Sequence, residues 1–293
     1  MLGNFLIGLR EGLEASLVVS ILIAYLVKTN RRALLPRIWA GVGLAIVVSL
    51  AFGAVLTYGP KGLTFEAQEL IGGSLSIVAV AMVTWMILWM ATAGRTLARG
   101  LRSQVDAAGE SWWALPLVGT LSVGREGLET ALFIWAATRA AGRDGQSTTQ
   151  PLLGALLGLA VAVVVGWLIY RGTLRVNLSK FFAWTGGFLV IIAAGVLAYG
   201  IHDLQEARFL PGLNTLAYDV SDVIAPSSVL GTLLKGVFNF SPAATVLETI
   251  AWWTYVLVVT PLFVSRLRRY HTSVPPAPAT TASATPQAVG DPS

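Results

Sequence analysis

Seven long apolar runs dominate this sequence, and they restrict the chain to one solvent, the lipid bilayer. They span roughly 4–27, 38–58, 70–92, 114–137, 152–171, 181–201 and 245–265. Each approaches the ~20 residues with which a helix crosses the hydrocarbon core. They are rich in Leu, Val, Ile, Ala and Gly, without the strict alternation of barrel strands. Only 12% of the 293 residues are charged against 55% hydrophobic, too few charges to cover a water-soluble domain. The sequence predicts an all-α integral membrane protein with seven transmembrane helices. The first run does not read as a cleaved signal peptide, because it lacks a basic leading segment and carries Arg10, Glu11 and Glu14.

Loop charge orients the chain. Thirteen Lys and Arg fall in segments 28–37, 93–113, 171–180 and after 265, against five in the alternate loops. The positive-inside rule then puts the N-terminus outside and the C-terminus in the cytoplasm of a cell-membrane, multi-pass protein. The net charge of +5 is thereby used for orientation, and no nucleic-acid partner is expected. Trp112-Trp113 and Trp252-Trp253 sit near helix ends, as interfacial anchors do. The tail 271–293 is Pro-, Ala-, Thr- and Ser-rich and is expected to be disordered. The outer loop 202–244 is long enough to hold a short re-entrant or interfacial segment around 229–240.

The chain repeats itself. Arg10-Glu11-Gly12-Leu13-Glu14 recurs as Arg125-Glu126-Gly127-Leu128-Glu129, and the same offset superposes Pro36 on Pro151 and Gly43-Leu44-Ala45 on Gly158-Leu159-Ala160. Runs one to three (1–95) and four to six (112–205) are two copies of one unit, with a seventh helix at 245–266 added, in a transmembrane domain of residues 1–270. An odd number of spans per copy inverts the second relative to the first, an architecture of many transporters.

Each copy places three charges inside an apolar span, at roughly 2.5–3.5 kcal/mol apiece on insertion scales. Glu11 and Glu14 are three residues apart and share a helix face, as do Glu126 and Glu129. If the two motif helices cross, four carboxylates converge on one point, with Gly12 and Gly127 permitting close approach. An all-oxygen cage suits hard cations such as Mg²⁺, Mn²⁺ and iron. No Cys and only two His are present to build a softer site. Arg10 and Arg125 can pair within their own helices or reach across to the other motif's carboxylates. A clamp of Arg against Glu is the competing reading of one motif; two copies in an inverted repeat favour a transport site.

The twin Arg-Glu-Gly-Leu-Glu motifs resemble the signature of the oxidase-dependent iron permease family, over about residues 1–268. His202-Asp203-Leu204-Gln205-Glu206-Ala207 is similar to its bacterial branch, where Glu is more familiar at position 203. The resemblance implies a seven-helix importer of iron (Fe²⁺ or Fe³⁺, as transported substrate) whose motif carboxylates Glu11, Glu14, Glu126 and Glu129 bind the metal. It also implies an extracytoplasmic iron-oxidising or iron-binding partner protein. The family's third helix often opens Glu-x-x-Glu-Gly; Glu69-Leu70-Ile71-Gly72-Gly73 keeps the first Glu and has Gly72 at the second.

The resemblance also favours function for Asp203 and Glu206 at the outer mouth. There, Glu66 is either a substitute ligand or a helix-start charge, Glu248 either lines the path or complements its helix N-terminus, and His202 reads as interfacial. Asp219 and Asp222 either add to an acidic mouth that gathers cations or are ordinary solvated loop charges. Two alternatives remain open on the residues alone: a carrier of Mn²⁺ or Mg²⁺, and an intramembrane carboxylate metalloenzyme. The latter is disfavoured because such enzymes pair Glu with His. No nucleotide-binding glycine loop is present.

Overall fold

A computed structural model of the chain describes residues 2–93, 97–109, 111–142, 149–171, 178–224, 228, 231, 234 and 240–272. The tail 273–293 and most of segment 229–240 lie outside them. Among the described residues there are eight helices: α1 (Leu2–Lys28), α2 (Leu35–Tyr58), α3 (Phe65–Ala93), α4 (Leu97–Ala108), α5 (Ala114–Gly142), α6 (Thr149–Tyr170), α7 (Leu178–Glu206) and α8 (Val246–Thr272). A helix therefore stands on each of the seven apolar runs. The stretches Arg32–Tyr58, Phe65–Met90, Thr149–Tyr170, Lys180–Glu206 and Val246–Arg268 are long and apolar enough to cross a membrane. The remaining long helices, α1 and α5, carry the motif charges. Apolar side chains such as Leu50 and Val163, more than 60% exposed, face outward from α2 and α6, as lipid-facing residues do.

Helix contacts pair elements from opposite halves of the chain. α1 packs on α6, α2 on α5 and α3 on α7, while α8 lies against α3 and α7. Along α1 and α6 the contacts advance together: Gly8 meets Ala155, Gly12 meets Ala162, and Gly166 meets Ser16. Along α2 and α5 they do the same, from Gly41 against Pro116 to Ser49 against Gly127. These two pairs are parallel. α3 and α7 run antiparallel, with Gly73 on Gly200 near one end and Ile87 on Gly186 near the other. α1 and α5 are also antiparallel, since Asn4 Nδ2 donates to Thr138 Oγ1 at 3.2 Å.

Lipid offers no hydrophobic drive for helix association, so close packing has to supply it. A Cβ on Gly158 would collide with the Phe5 carbonyl oxygen, and one on Gly41 with that of Pro116. Only glycine lets these backbones touch.

Two elements depart from the seven-helix reading. α4 is amphipathic and too short to span; Leu101 and Val105 fill a cluster with Leu22, Leu26, Ile38 and Leu115. In the long connection between α7 and α8, β1 (Leu216–Asp219) pairs antiparallel with β2 (Ala243–Thr245), Leu216 opposite Thr245.

Candidate functional site

The two motifs meet inside the bundle. Carboxylate oxygens of Glu11 from α1 and of Glu126 and Glu129 from α5 lie within 4.8 Å of one another. Glu14 is within electrostatic reach of Glu126 and Glu129. Glu11, Glu14 and Glu129 are buried and Glu126 is half-buried. Both oxygens of Glu11, and one each of Glu14, Glu126 and Glu129, are buried without a hydrogen-bond partner. A buried polar group left unsatisfied costs about 1–3 kcal/mol, more when charged. Three of these carboxylates lie close enough together to share one cation.

The arginines pair within their own helices. Arg10, 1% exposed, holds Nε 3.3 Å from Glu14 and Nη1 3.7 Å from Glu11. Arg125 donates to Glu129 at 2.9 Å and stacks over Trp89, its side chain 46% exposed. The two copies thus differ: one cation is sealed in and the other sits at a surface.

The motif glycines serve different contacts from those expected. Gly12 backs onto Ala162 of α6 and Gly127 onto Ser49 of α2, so neither sits at the α1–α5 crossing. With the glycine edge pressed on a parallel neighbour, the glutamates beside it turn toward the facing motif helix.

A second acidic group forms beside the C-terminal end of α5. Carboxylate oxygens of Glu69, Asp203 and Glu206 lie within 4.8 Å of one another. Arg139 enters this group, Nη2 at 3.0 Å from Glu69 and Nε at 3.3 Å from Asp203, with a further bond to the Gln68 carbonyl. Its guanidinium rests against Gly72, in space that a Cβ there would fill.

Residues 1–274 match the Iron permease FTR1 family. The chain belongs to that family. It is similar to the ferrous iron permease EfeU of Escherichia coli O6:H1, 38% identical over 264 residues that cover 89% of this chain and 94% of the relative. It is also similar to the ferrous iron permease EfeU of Yersinia pestis, 36% identical over 263 residues, 88% and 92% of the two chains. A relative described as a putative inactive ferrous iron permease EfeU, from E. coli K12, is 38% identical over 257 residues, 86% and 91%. No solved structure matches the chain. This permease is therefore a multi-pass membrane transporter of iron, and the metalloenzyme alternative falls.

The other polar residues of this permease divide by contact. Glu66 is exposed in the first turn of α3, apart from the group of Glu69, Asp203 and Glu206. Glu248 is buried, bonds His202 and caps α8: Thr245 N–H donates to its carboxylate and Glu248 N–H donates to Thr245 Oγ1. That is a capping box, and Thr-x-x-Glu before an apolar run is its sequence mark. His202 also lies 3.5 Å from Glu206 within α7, and its bond to Glu248 joins that helix to α8. Asp219 braces its loop; the Ser221 hydroxyl and N–H both donate to it and hold its carboxyl below the usual range. Asp222 is exposed. Sequence reasoning missed Arg139, taken there as a loop charge, and Gln205, which accepts from Thr245 and donates to the Pro211 carbonyl.

Proposed function

We propose that iron crosses the membrane inward through a site built by Glu11, Glu14, Glu126 and Glu129. The observation that carries this reading is the set of buried carboxylate oxygens without hydrogen-bond donors, gathered from two helices. Hard oxygen ligands suit Fe²⁺ and Fe³⁺. Four glutamates and two arginines sum to about −2 when all ionise, which accommodates a multivalent guest without large excess charge.

The surrounding architecture in this reading is seven spans, two inverted three-helix units plus α8. Its support is the pairing itself: a two-fold axis in the membrane plane that exchanges α1–α3 with α5–α7 turns the parallel α1–α6 contact into the parallel α5–α2 contact. The same axis maps the α3–α7 pair onto itself. The N-terminus lies outside and the C-terminus inside, in keeping with the loop charges. Glu69, Asp203 and Glu206 then form the outer mouth, where an iron-oxidising or iron-binding protein delivers the metal. Glu66 and Glu248 flank this mouth, Glu248 chiefly as a helix cap.

Radiolabelled iron uptake into proteoliposomes tests the reading. Wild type is compared with Glu14→Ala plus Glu129→Ala, and a thermal melt checks the fold. Loss of iron flux is expected. Equal flux would reduce the motifs to clamps, and Mn²⁺ flux without iron flux would overturn the substrate.

A further inference from the structure

Between the two acidic groups the bundle is apolar. A cavity of about 20 Å³, room for a single water, lies among α1, α3, α5 and α7. Every side chain lining it is apolar, among them Ile7, Val80, Val83, Phe133, Leu189 and Ile192. Such a lining offers neither a water nor a metal ion a polar partner.

Its place along the helices is fixed by spacing. Ile7 is one turn before Glu11 on α1, and Phe133 one turn after Glu129 on α5. Because α1 and α5 are antiparallel, both side chains stand on the same side of the motif carboxylates, the side toward Arg139. Glu129 and Arg139 are separated by roughly 15 Å of helix at 1.5 Å per residue, and the layer fills that interval. The route continues beyond it. Ser76 precedes Val80 by one turn on the same face of α3, fully buried, its Oγ without a hydrogen-bond partner. Asn4 and Thr138 pair at the same level as the outer group. Polar groups thus stand on both sides of an apolar layer.

We propose that this layer is the closed gate of the transport path, with Ile7 and Phe133 sealing the motif carboxylates from the outer acidic group. Apolar constrictions block ions by excluding water, and widening or wetting one opens it. Phe133 is the principal seal: the one aromatic ring among the cavity's lining residues, 4% exposed. Opening requires α1 and α5 to part from α3 and α7, which are joined to them across the layer by side-chain packing and, at its outer edge, by Arg139.

The proposal rests on the reading that the motif glutamates bind iron, and the test separates the two. Iron flux into proteoliposomes is measured for Phe133→Ser, Phe133→Trp and the lipid-facing control Leu50→Ala, alongside iron binding to each purified protein. Phe133→Ser is expected to raise flux down an imposed iron gradient about tenfold, the effect of lowering a barrier by 1.4 kcal/mol. Phe133→Trp is expected to lower flux, with binding unchanged in both. Wild-type flux in both Phe133 variants overturns the gate. Failure of Glu11→Gln to weaken binding overturns the site instead. Should Phe133→Ser not fold, Ala136→Cys gives a second readout in a chain free of cysteine. It is expected to react with a small membrane-impermeant thiol reagent only while iron is transported. Equal reaction with and without iron, or none in either state, overturns the gate.

Discussion

The guanidinium of Arg139 rests on Gly72, where it bridges Glu69 of α3 and Asp203 of α7. The absence of a side chain at Gly72 leaves the space that a cation from another helix fills. Asp203 is fully buried, so the arginine supplies the charge that its carboxylate needs.

Removing that cation takes from two carboxylates, one of them fully buried, the guanidinium they share. Arg139→Met is expected to destabilise the protein by about 3 kcal/mol, read as a lowered thermal midpoint in detergent. Arg139→Lys recovers only part, since an ammonium lacks the planar fork that reaches two carboxylates. An unchanged midpoint in Arg139→Met would show the bridge to be idle.

At the motif site the sign reverses. Glu11 has no hydrogen bond at either oxygen and faces two other carboxylates. Glu11→Gln is expected to hold or raise the thermal midpoint while reducing iron affinity at least about tenfold, because affinity at such sites follows the ligand charge count. Glu129→Gln, which takes the charge from the acceptor of the 2.9 Å bond donated by Arg125, is expected to lose both. A clamp would lose stability in each variant, so the contrast between them decides.

Backbone contact at the parallel pairs gives a third test. Gly158→Val drives a side chain into the Phe5 carbonyl and is expected to cost about 3 kcal/mol by overpacking. Gly43 meets nothing within 4 Å, and Gly43→Ala is expected to gain up to about 1 kcal/mol of helix propensity. Comparable thermal midpoints in the two variants would contradict the packing described.

The cap of α8 supplies a fourth. Thr245→Ala removes the hydroxyl that bonds Glu248 N–H and Gln205 and is expected to cost about 1 kcal/mol. Thr245→Ser keeps the oxygen and should lie near wild type; equal losses would deny the cap its role.

Much of this architecture was readable from the chain because apolar length alone places a helix in a bilayer. Each of the seven runs carries one, extended by a few residues at its ends. The meeting of the two motifs was readable for a related reason: charges inside such runs are costly and need partners. What escaped depends on tertiary neighbours. α4 is twelve residues long, below spanning length, and only the four-residue spacing of Leu101 and Val105 marks it. Arg139 read as a loop charge because α5 continues to Gly142, beyond the apolar stretch that ended near 137. Gly12 and Gly127 announced close approach without naming the partner, since a glycine edge fits any helix of matching shape. The β1–β2 pair is too short for alternation to register.

The crossed pairing has a consequence for synthesis. α1 finds its parallel partner only when α6 has been made, which at 5–20 residues per second takes roughly ten to thirty seconds. Through that interval a nascent first half would present Arg10, Glu11 and Glu14 to the membrane with no second motif to meet. The ion pairs inside α1 need no second motif, so Arg10 offsets one of the two negative charges on its own helix before α5 and α6 are made.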